Sequence, residues 1–232
     1  MKPQADLRPA ARRAAPEREA NAGDRLPYGR HVDDLTIETR EGLLIQFIHM
    51  AGLRFETVDT DEINYRKTLR DVALRSIASS RFALYHHIVR REVSPRLEAE
   101  FGDTFSRELD SAWNRRFAAK KLYVNDLYLT LVRRPLQGKA GWLDGALRGL
   151  GAQGSTTRRA AAEATELREL AAARDALLAA LAPYGARPLT VYDTPAGPAS
   201  EPLEFLSSLY NGEMRPVLLP QADLGRHLPY RR

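Results

Sequence analysis

The sequence predicts an α/β (α+β) fold, in which helices cover a mixed sheet of about four to five strands that begins with a hairpin. Residues 34–38 alternate polar and apolar side chains, which is typical of a strand buried on one face. Residues 43–55 are largely apolar in both alternating sets, which indicates a central strand covered on both faces. Apolar residues then recur at helical spacing over 63–77, and residues 82–89 return as a strand.

Turn and capping residues separate these first elements. Arg40-Glu41-Gly42 predicts a tight reversal between the first two strands, because glycine tolerates the positive φ that such turns need. Asp59 precedes the first helix, and acidic residues fill its first turn, where backbone amides lack partners. The predicted buried stripe of this helix is Ile63, Leu69, Val72, Ala73 and Ile77.

A second helix is predicted at about 104–122, followed by a strand at about 123–130. The helix is marked by four apolar residues spaced four apart, Phe105, Leu109, Trp113 and Phe117. The strand contains Asn125 and Asp126, whose polar groups need partners. These groups either form hydrogen bonds to a neighbouring loop, which is a structural role, or mark a contact surface. The structural role is favoured.

The remainder predicts a smaller C-terminal helical lobe. It comprises an alanine-rich helix over 157–181, a short strand over 189–192, a turn over 194–202 and a helix over 201–211 that Gly212 ends. We therefore divide the chain into a flexible Arg/Ala/Pro-rich tail (1–26), a hairpin-helix-strand-helix-strand core (27–135), a glycine-rich insert (136–157) and a final segment (158–232). The final segment is expected to belong to the same domain as the core.

Composition excludes several classes of protein. The 232 residues contain no cysteine, so disulfides and thiolate metal sites are excluded. The longest apolar run, residues 43–53, falls well short of the roughly 20 residues of a membrane span. The net charge of +5 includes recurring arginine pairs, which fit either an electropositive face for anionic lipid or nucleic acid, or solvated element ends. Interspersed acidic residues favour solvated ends.

No residue is predicted to be catalytic, cofactor-binding or metal-binding. Residues 149–156 resemble the start of a phosphate-binding loop, but Ser155 stands where that loop needs lysine. His86 and His87 are adjacent in a strand, so they face opposite sides and cannot share a metal ion. We expect whichever lies on a buried face to be a hydrogen-bonded structural histidine. The acidic residues at 33–34 and 59–62 are explained by strand entry and helix capping without a cation site.

Short motifs in a fixed order resemble a known family. They are Pro27-Tyr28, Gly42, Gly52 with Phe55-Glu56-Thr57, Arg90-Arg91, residues 123–130 with Pro135, and finally Phe205-Leu206, Leu209, Asn211-Gly212-Glu213, Pro216 and Pro220. Together they are similar to the N-terminal region of the type IV secretion and conjugation ATPases, the CagE/TrbE/VirB group, over roughly residues 27–229.

The resemblance implies more than the residues show. Members of this family are cytoplasmic ATPases that dock on the bacterial inner membrane and work as hexamers to energise channel and pilus assembly. ATP and magnesium are expected only in a C-terminal RecA-like domain, whose motifs match no position here. We therefore expect no cofactor and no enzyme activity in this chain, and a location on the cytoplasmic face of the inner membrane.

The resulting hypothesis is a non-catalytic docking domain that binds inner-membrane secretion subunits, including a small membrane-spanning protein, and neighbouring protomers. The alternative is an independent nucleic-acid- or nucleotide-binding module with an unrecognised site. An anionic lipid surface is a further expected partner, and nucleic acid is disfavoured. The expected contact surface combines exposed apolar side chains, with 35–39 as an edge strand, and a basic rim. Its candidates are Arg30, Leu35, Ile37, Arg115, Arg116, Arg133 and Arg134.

Overall fold

The computed structural model describes residues 22–53, 56, 58–93, 100–118, 120–134, 155–221 and 223–228, with only the backbone for 155–160. The strands are β1 (Tyr28–His31), β2 (Ile37–Thr39), β3 (Leu44–Met50), β4 (Phe82–Val93), β5 (Leu122–Arg133), β6 (Arg187–Pro188), β7 (Val191–Thr194) and β8 (Gly197–Ser200). The helices are α1 (Thr60–Ile77), α2 (Thr104–Ala118), α3 (Ser155–Leu181) and α4 (Glu201–Asn211).

The main sheet has the order β1-β2-β3-β5-β4, and β6 adds to β3 beside β2. All of its pairings are antiparallel. β2 and β3 form the predicted hairpin, in which Gly42 adopts a φ of 80°. β7 and β8 form a separate two-stranded sheet. The predicted class, an α/β (α+β) fold in which helices pack on a sheet that includes a hairpin, is confirmed, but the sheet is antiparallel and not mixed.

The central strand β3 contributes side chains to two hydrophobic cores, one on each face of the sheet. Ile45 and Phe47 point to the face covered by α4 and the segment after it, whose central side chain is Phe205. Leu44 and Ile48 point to the opposite face, which α1 and α3 cover. Because successive side chains alternate between faces, this burial explains why both sets of this strand are apolar.

Helix α4 has the predicted bounds, and its capping residues explain why. The Ser200 hydroxyl accepts a hydrogen bond from the Leu203 amide at 3.2 Å, which satisfies one free donor of the first turn. Gly212 adopts a φ of 70° after the last turn, and its amide donates to the Ser208 carbonyl. Glycine accepts this left-handed conformation without steric cost, so the helix ends there.

Helix α3 is fastened to the sheet by a buried cation, which corrects one predicted surface residue. The Arg133 side chain is only 1% exposed, and its guanidinium lies 3.1 Å from a carboxylate oxygen of Glu166 and 3.1 Å from one of Glu169. Arg81 forms a second ion pair with Glu169 at 2.9 Å. Arg133 is therefore part of the core between sheet and helix and not part of an exposed basic rim.

The prediction that residues 35–39 form an edge strand is also wrong. β2 lies between β1 and β3, so both of its sides are hydrogen-bonded. Ile37 is fully buried in the core beneath α4. The sequence could not show this, because β1 is short and its residues, Tyr28 to His31, carry little alternation.

Two further expectations are corrected by packing. Val72 of α1 is 58% exposed, whereas Ala73 and Ile77 are buried. Ala73 and Ile77 are four residues apart and share a face, while Val72 is rotated by about 100° from Ala73 and by about 140° from Ile77. Similarly, residues 22–26 of the predicted flexible tail are folded. Ala22–Arg25 form a 3-10 helix that packs on a second one, Leu224–His227, where Gly23 meets the backbone of Gly225.

Other expected segments differ in their bounds or lie outside the described residues. α2 ends at Ala118 instead of near residue 122. The expected turn over 194–202 contains strand β8, which pairs with β7 in a hairpin. Residues 1–21 of the predicted tail and most of the glycine-rich insert are outside the described residues. The motif at 149–156 that resembles a phosphate-binding loop also lies outside the described residues, except for its last two residues, whose backbone begins α3.

Candidate interaction surface

The sheet continues into a two-stranded projection beyond its central strand. β3 pairs with β5 as far as the Met50–Leu127 rung. Within the described residues, β4 and β5 then continue alone from the Val89–Asp126 rung to the Val93–Leu122 rung. Five rungs at about 3.3 Å per residue extend this ribbon by ~17 Å. We call residues 89–93, helix α2 and residues 122–126 the arm.

Cross-strand side chains stabilise the ribbon of the arm. The Arg91 guanidinium donates to the Asp126 carboxylate at 2.6 Å, and the Arg90 guanidinium lies 4.6 Å from the centroid of the Tyr123 ring. Each contact joins opposite charges or a cation and a ring on neighbouring strands. The polar residue at 126 thus has a partner on the adjacent strand and not on a loop, which supports its structural interpretation.

Helix α2 at the tip of the arm is amphipathic and buries none of its residues. Asp103 begins the helix by accepting a hydrogen bond from the Ser106 amide at 2.7 Å, which holds the pKa of that carboxyl below its ordinary value. The four apolar residues spaced four apart share one face. We call them the α2 stripe, and three of them are mostly exposed: Phe105 (75%), Leu109 (59%) and Trp113 (56%). The ring of the fourth, Phe117, contacts that of Trp113, with centroids 4.9 Å apart and planes tilted by 48°.

The surroundings of the α2 stripe are basic. Residues 104–121 carry five basic side chains against two acidic ones, for a formal excess of three positive charges. All five basic side chains are exposed, and in the part of the chain that the structure describes only Lys121 has a carboxylate partner, Glu92 at 3.8 Å. The basic residues are Arg107, Arg115, Arg116, Lys120 and Lys121.

The outer edge of β4 adjoins the arm. β4 is 12 residues long and, among the described residues, pairs only with β5, so alternate backbone groups along its other side face outward. Tyr85 and Ile88 are 52% and 60% exposed on opposite faces of this strand. The exposed apolar side chains of the strands therefore lie next to unpaired backbone donors and acceptors.

The seven residues predicted from the sequence do not form one surface. Arg115 and Arg116 lie on the arm. Arg30 lies on β1, at the opposite side of the sheet, and forms ion pairs with Glu38 and Glu163. Leu35 is half-buried in the bend before β2, and Arg134 follows β5 at the end away from the arm. Ile37 and Arg133 are buried, as described above.

The sequence predicted the helix that carries the α2 stripe but did not show that this apolar face is exposed. Its spacing correctly predicts an amphipathic helix, and the natural expectation is that such a face packs on the sheet. The structure instead leaves it open. Two features of the sequence could have indicated an exposed helix, namely the net basic charge and the strict four-residue repeat. A helix packed on a core usually has a wider apolar face with additional residues three positions apart.

His87, the histidine on the packed face of β4, is hydrogen-bonded, as predicted for whichever of His86 and His87 lies on a buried face. Nε2 of His87 lies 2.8 Å from the Thr130 hydroxyl, and its ring packs edge-on at 5.3 Å from Phe205. Burial lowers the pKa of His87. His86 is exposed on the other face. The described residues contain no cluster of three side chains that could hold a metal ion, and none of their helices is both long and apolar enough to cross a membrane.

Residues 35–140 match the family described as the type IV secretion system ATPase VirB4/TrbE, N-terminal domain. Residues 35–140 are thus a VirB4/TrbE N-terminal domain. The matched region contains β2 to β5, α1 and α2, and therefore the whole arm. The family signature includes the projecting element as well as the buried sheet.

Curated relatives extend the similarity over most of the chain. The chain is 30% identical over 203 residues to the type IV secretion system protein virB4 of Bartonella henselae. This aligned region covers 88% of this chain and 26% of the Bartonella protein. It is 29% identical to the virB4 protein of Brucella suis, with coverage of 88% and 25%. The type IV secretion system protein PtlC homolog of Bordetella bronchiseptica is 27% identical, with coverage of 88% and 24%. The chain thus spans about a quarter of the length of these relatives.

Proposed function

We propose that this chain is the docking domain of a VirB4/TrbE-type secretion ATPase and binds inner-membrane subunits of the secretion complex through its arm and the edge of β4. The observation that carries the proposal is the arm itself, which projects ~17 Å beyond the central strand with apolar and basic side chains exposed. The docking domain is non-catalytic, and ATP and magnesium bind in a separate domain of the whole protein. Its place is the cytoplasmic face of the inner membrane.

The chemistry of the arm fits a protein partner. Stable interfaces combine an apolar centre with a polar rim. Tyr123 in the arm and Ile88, which directly precedes the arm on β4, are exposed, and the ion pair between Arg91 and Asp126 lies on the ribbon of the arm. The free edge of β4 can accept an added strand, whose backbone hydrogen bonds supply affinity while side-chain pockets supply specificity. A small membrane-spanning subunit with an extended cytoplasmic segment suits this edge, and neighbouring protomers of a hexamer bind elsewhere on the domain.

The test is capture of secretion subunits from detergent-solubilised inner membranes by the tagged 232-residue chain. Membranes come from cells that express the cognate secretion operon, and retained subunits are identified by mass spectrometry. Ile88→Glu should abolish capture, because it places a charge at the centre of the proposed contact. Val72→Glu is the matched control, since Val72 is 58% exposed on α1, away from the arm. Equal capture by both variants would contradict the assignment of the contact to β4.

The alternative module class gives a different set of results. A nucleic-acid-binding module would bind DNA with an affinity that falls steeply with salt, because phosphate contacts release counterions. A nucleotide-binding module would show saturable ATP binding by calorimetry. Either result in the absence of subunit capture would replace the docking proposal.

A further inference from the structure

Helix α2 combines an exposed apolar face with surrounding positive charge. Its apolar face consists of two phenylalanines, a leucine and a tryptophan, and no residue of the helix is buried against the remainder of the protein. Residues 104–121, which comprise the helix and the two lysines after it, have an excess of three positive charges, and most of their basic side chains lack a carboxylate partner within the described residues. Elsewhere in the domain many arginines form ion pairs, as Arg30, Arg133 and Arg187 do.

We propose that α2 lies flat on an anionic phospholipid bilayer, with the α2 stripe inserted among the headgroups and acyl boundary and the basic side chains at the phosphate level. This deepens the proposed function, on which it rests, because it names the second partner of the arm. Helices with Trp, Phe and Leu on one face and Arg or Lys around the other bind at this interface. Tryptophan is favoured there because its ring is apolar while its N–H can reach a polar partner.

Charge and geometry favour lipid over a protein groove for this face. Arg115 and Arg116 lie in the last turn of α2, and Lys120 and Lys121 follow it, so positive charge concentrates where the helix returns to β5. A negative leaflet attracts such a cluster. No residue of α2 is buried against the sheet or the ribbon, so its apolar face is open to a flat surface. The strands of the arm remain free for the protein contact proposed above.

The experiment uses the full 232-residue chain and defined vesicles without any secretion protein. Flotation is measured with vesicles of phosphatidylglycerol and phosphatidylcholine in equal parts and with vesicles of phosphatidylcholine alone. The chain has two tryptophans, Trp113 and Trp142. A Trp142→Phe background therefore makes Trp113 the reporter of insertion, by a shift of its emission to shorter wavelength and by quenching from brominated acyl chains.

We expect the folded chain to float with anionic vesicles only, with a blue-shifted Trp113 emission. The double variant Phe105→Gln/Leu109→Gln should bind more than about tenfold more weakly, because two inserted side chains are lost. Arg115→Gln/Arg116→Gln should weaken binding about 25-fold, at about fivefold for each cation near the surface. The matched control is Leu209→Gln, an equally simple change of a 46% exposed leucine on α4, which should float as the parent does.

Each contrary outcome has a defined meaning. A correctly folded parent chain that stays in solution with anionic vesicles overturns the proposal, as does equal binding by the stripe double variant. Binding without a change in Trp113 emission also overturns it, since attraction would then be electrostatic without insertion. If vesicle binding fails and Phe105→Gln/Leu109→Gln abolishes subunit capture from detergent, the stripe contacts protein and the docking proposal stands. If vesicle binding succeeds while capture fails, the lipid contact stands and protein docking does not.

Discussion

Removing the two carboxylates that hold Arg133 should destabilise the domain far more than removing Arg133 itself. The side chain of Arg133 is 1% exposed, whereas those of Glu166 and Glu169 are 23% and 37% exposed. In Glu166→Ala/Glu169→Ala the buried cation keeps its place without a counter-charge. The cost of such a state is about 3–5 kcal/mol in the free energy of unfolding. Alanine is a good helix former, so α3 itself loses little.

The reverse change has a smaller expected effect. In Arg133→Met an apolar side chain of similar length fills the same space, and both glutamates keep access to water. Glu169 also retains its ion pair with Arg81. We expect a loss below ~1.5 kcal/mol, as for volume-conserving core substitutions. The asymmetry follows from where the buried charge lies and not from the number of hydrogen bonds removed.

Urea unfolding followed by circular dichroism measures both values, with the slope m checked for constancy across variants. Asp175→Ala is the surface control, because Asp175 pairs with Arg174 while its side chain is 63% exposed, and such pairs contribute ~0–1 kcal/mol. If Arg133→Met costs as much as the double glutamate variant, the cation is not desolvated as the structure indicates, and the reasoning fails.

Three further predictions concern other parts of the fold. Phe205→Ala should lower the free energy of unfolding by about 3–5 kcal/mol, because the Phe205 ring contacts three other rings in one core. Leu209→Ala, on the exposed side of α4, should cost little, and thermal melts measure both variants. His87 has a lowered pKa in the folded state, so stability should be full above the ordinary value of about 6.5 and decrease as the pH falls below it. Urea midpoints between neutral pH and about 5 should show that decrease, and His87→Gln should make it smaller without abolishing it, because burial also lowers the pKa of His31 and of His49. Gly212→Ala should cost ~1 kcal/mol through its positive φ alone, while Gly102→Ala, at a position without that constraint, should be neutral in the same melts.

Local chemistry predicted some elements to the residue. Helix α4 could be bounded from the sequence because Ser200 and Gly212 act through their own backbone and side-chain geometry, which needs no distant partner. The two-faced burial of β3 was equally readable, because continuous apolar sequence in a strand implies cover on both sides. In both cases the determining physics lies within about ten residues.

Residues whose environment depends on distant chain segments could not be predicted in this way. Ile37 is buried because β1 pairs beside it and α4 packs above it, and Arg133 is buried because two glutamates on α3 reach it from more than thirty residues away. The four-residue repeat of α2 fixed the helix but not the surface it faces. The candidate site was therefore located only in part, through Arg115 and Arg116, since strand order determines which charged residues share a surface.

The absence of any buried residue in α2 has a consequence for how this domain can diverge. A side chain that contributes nothing to the folded core can be exchanged without a loss of stability, so selection on the tip is decoupled from selection on the fold. The sheet and its two cores can remain constant while the tip adapts to a new membrane or a new subunit. A library of α2 sequences displayed on the unchanged domain should retain folded expression in most members, and general loss of folding would show that the tip is constrained after all.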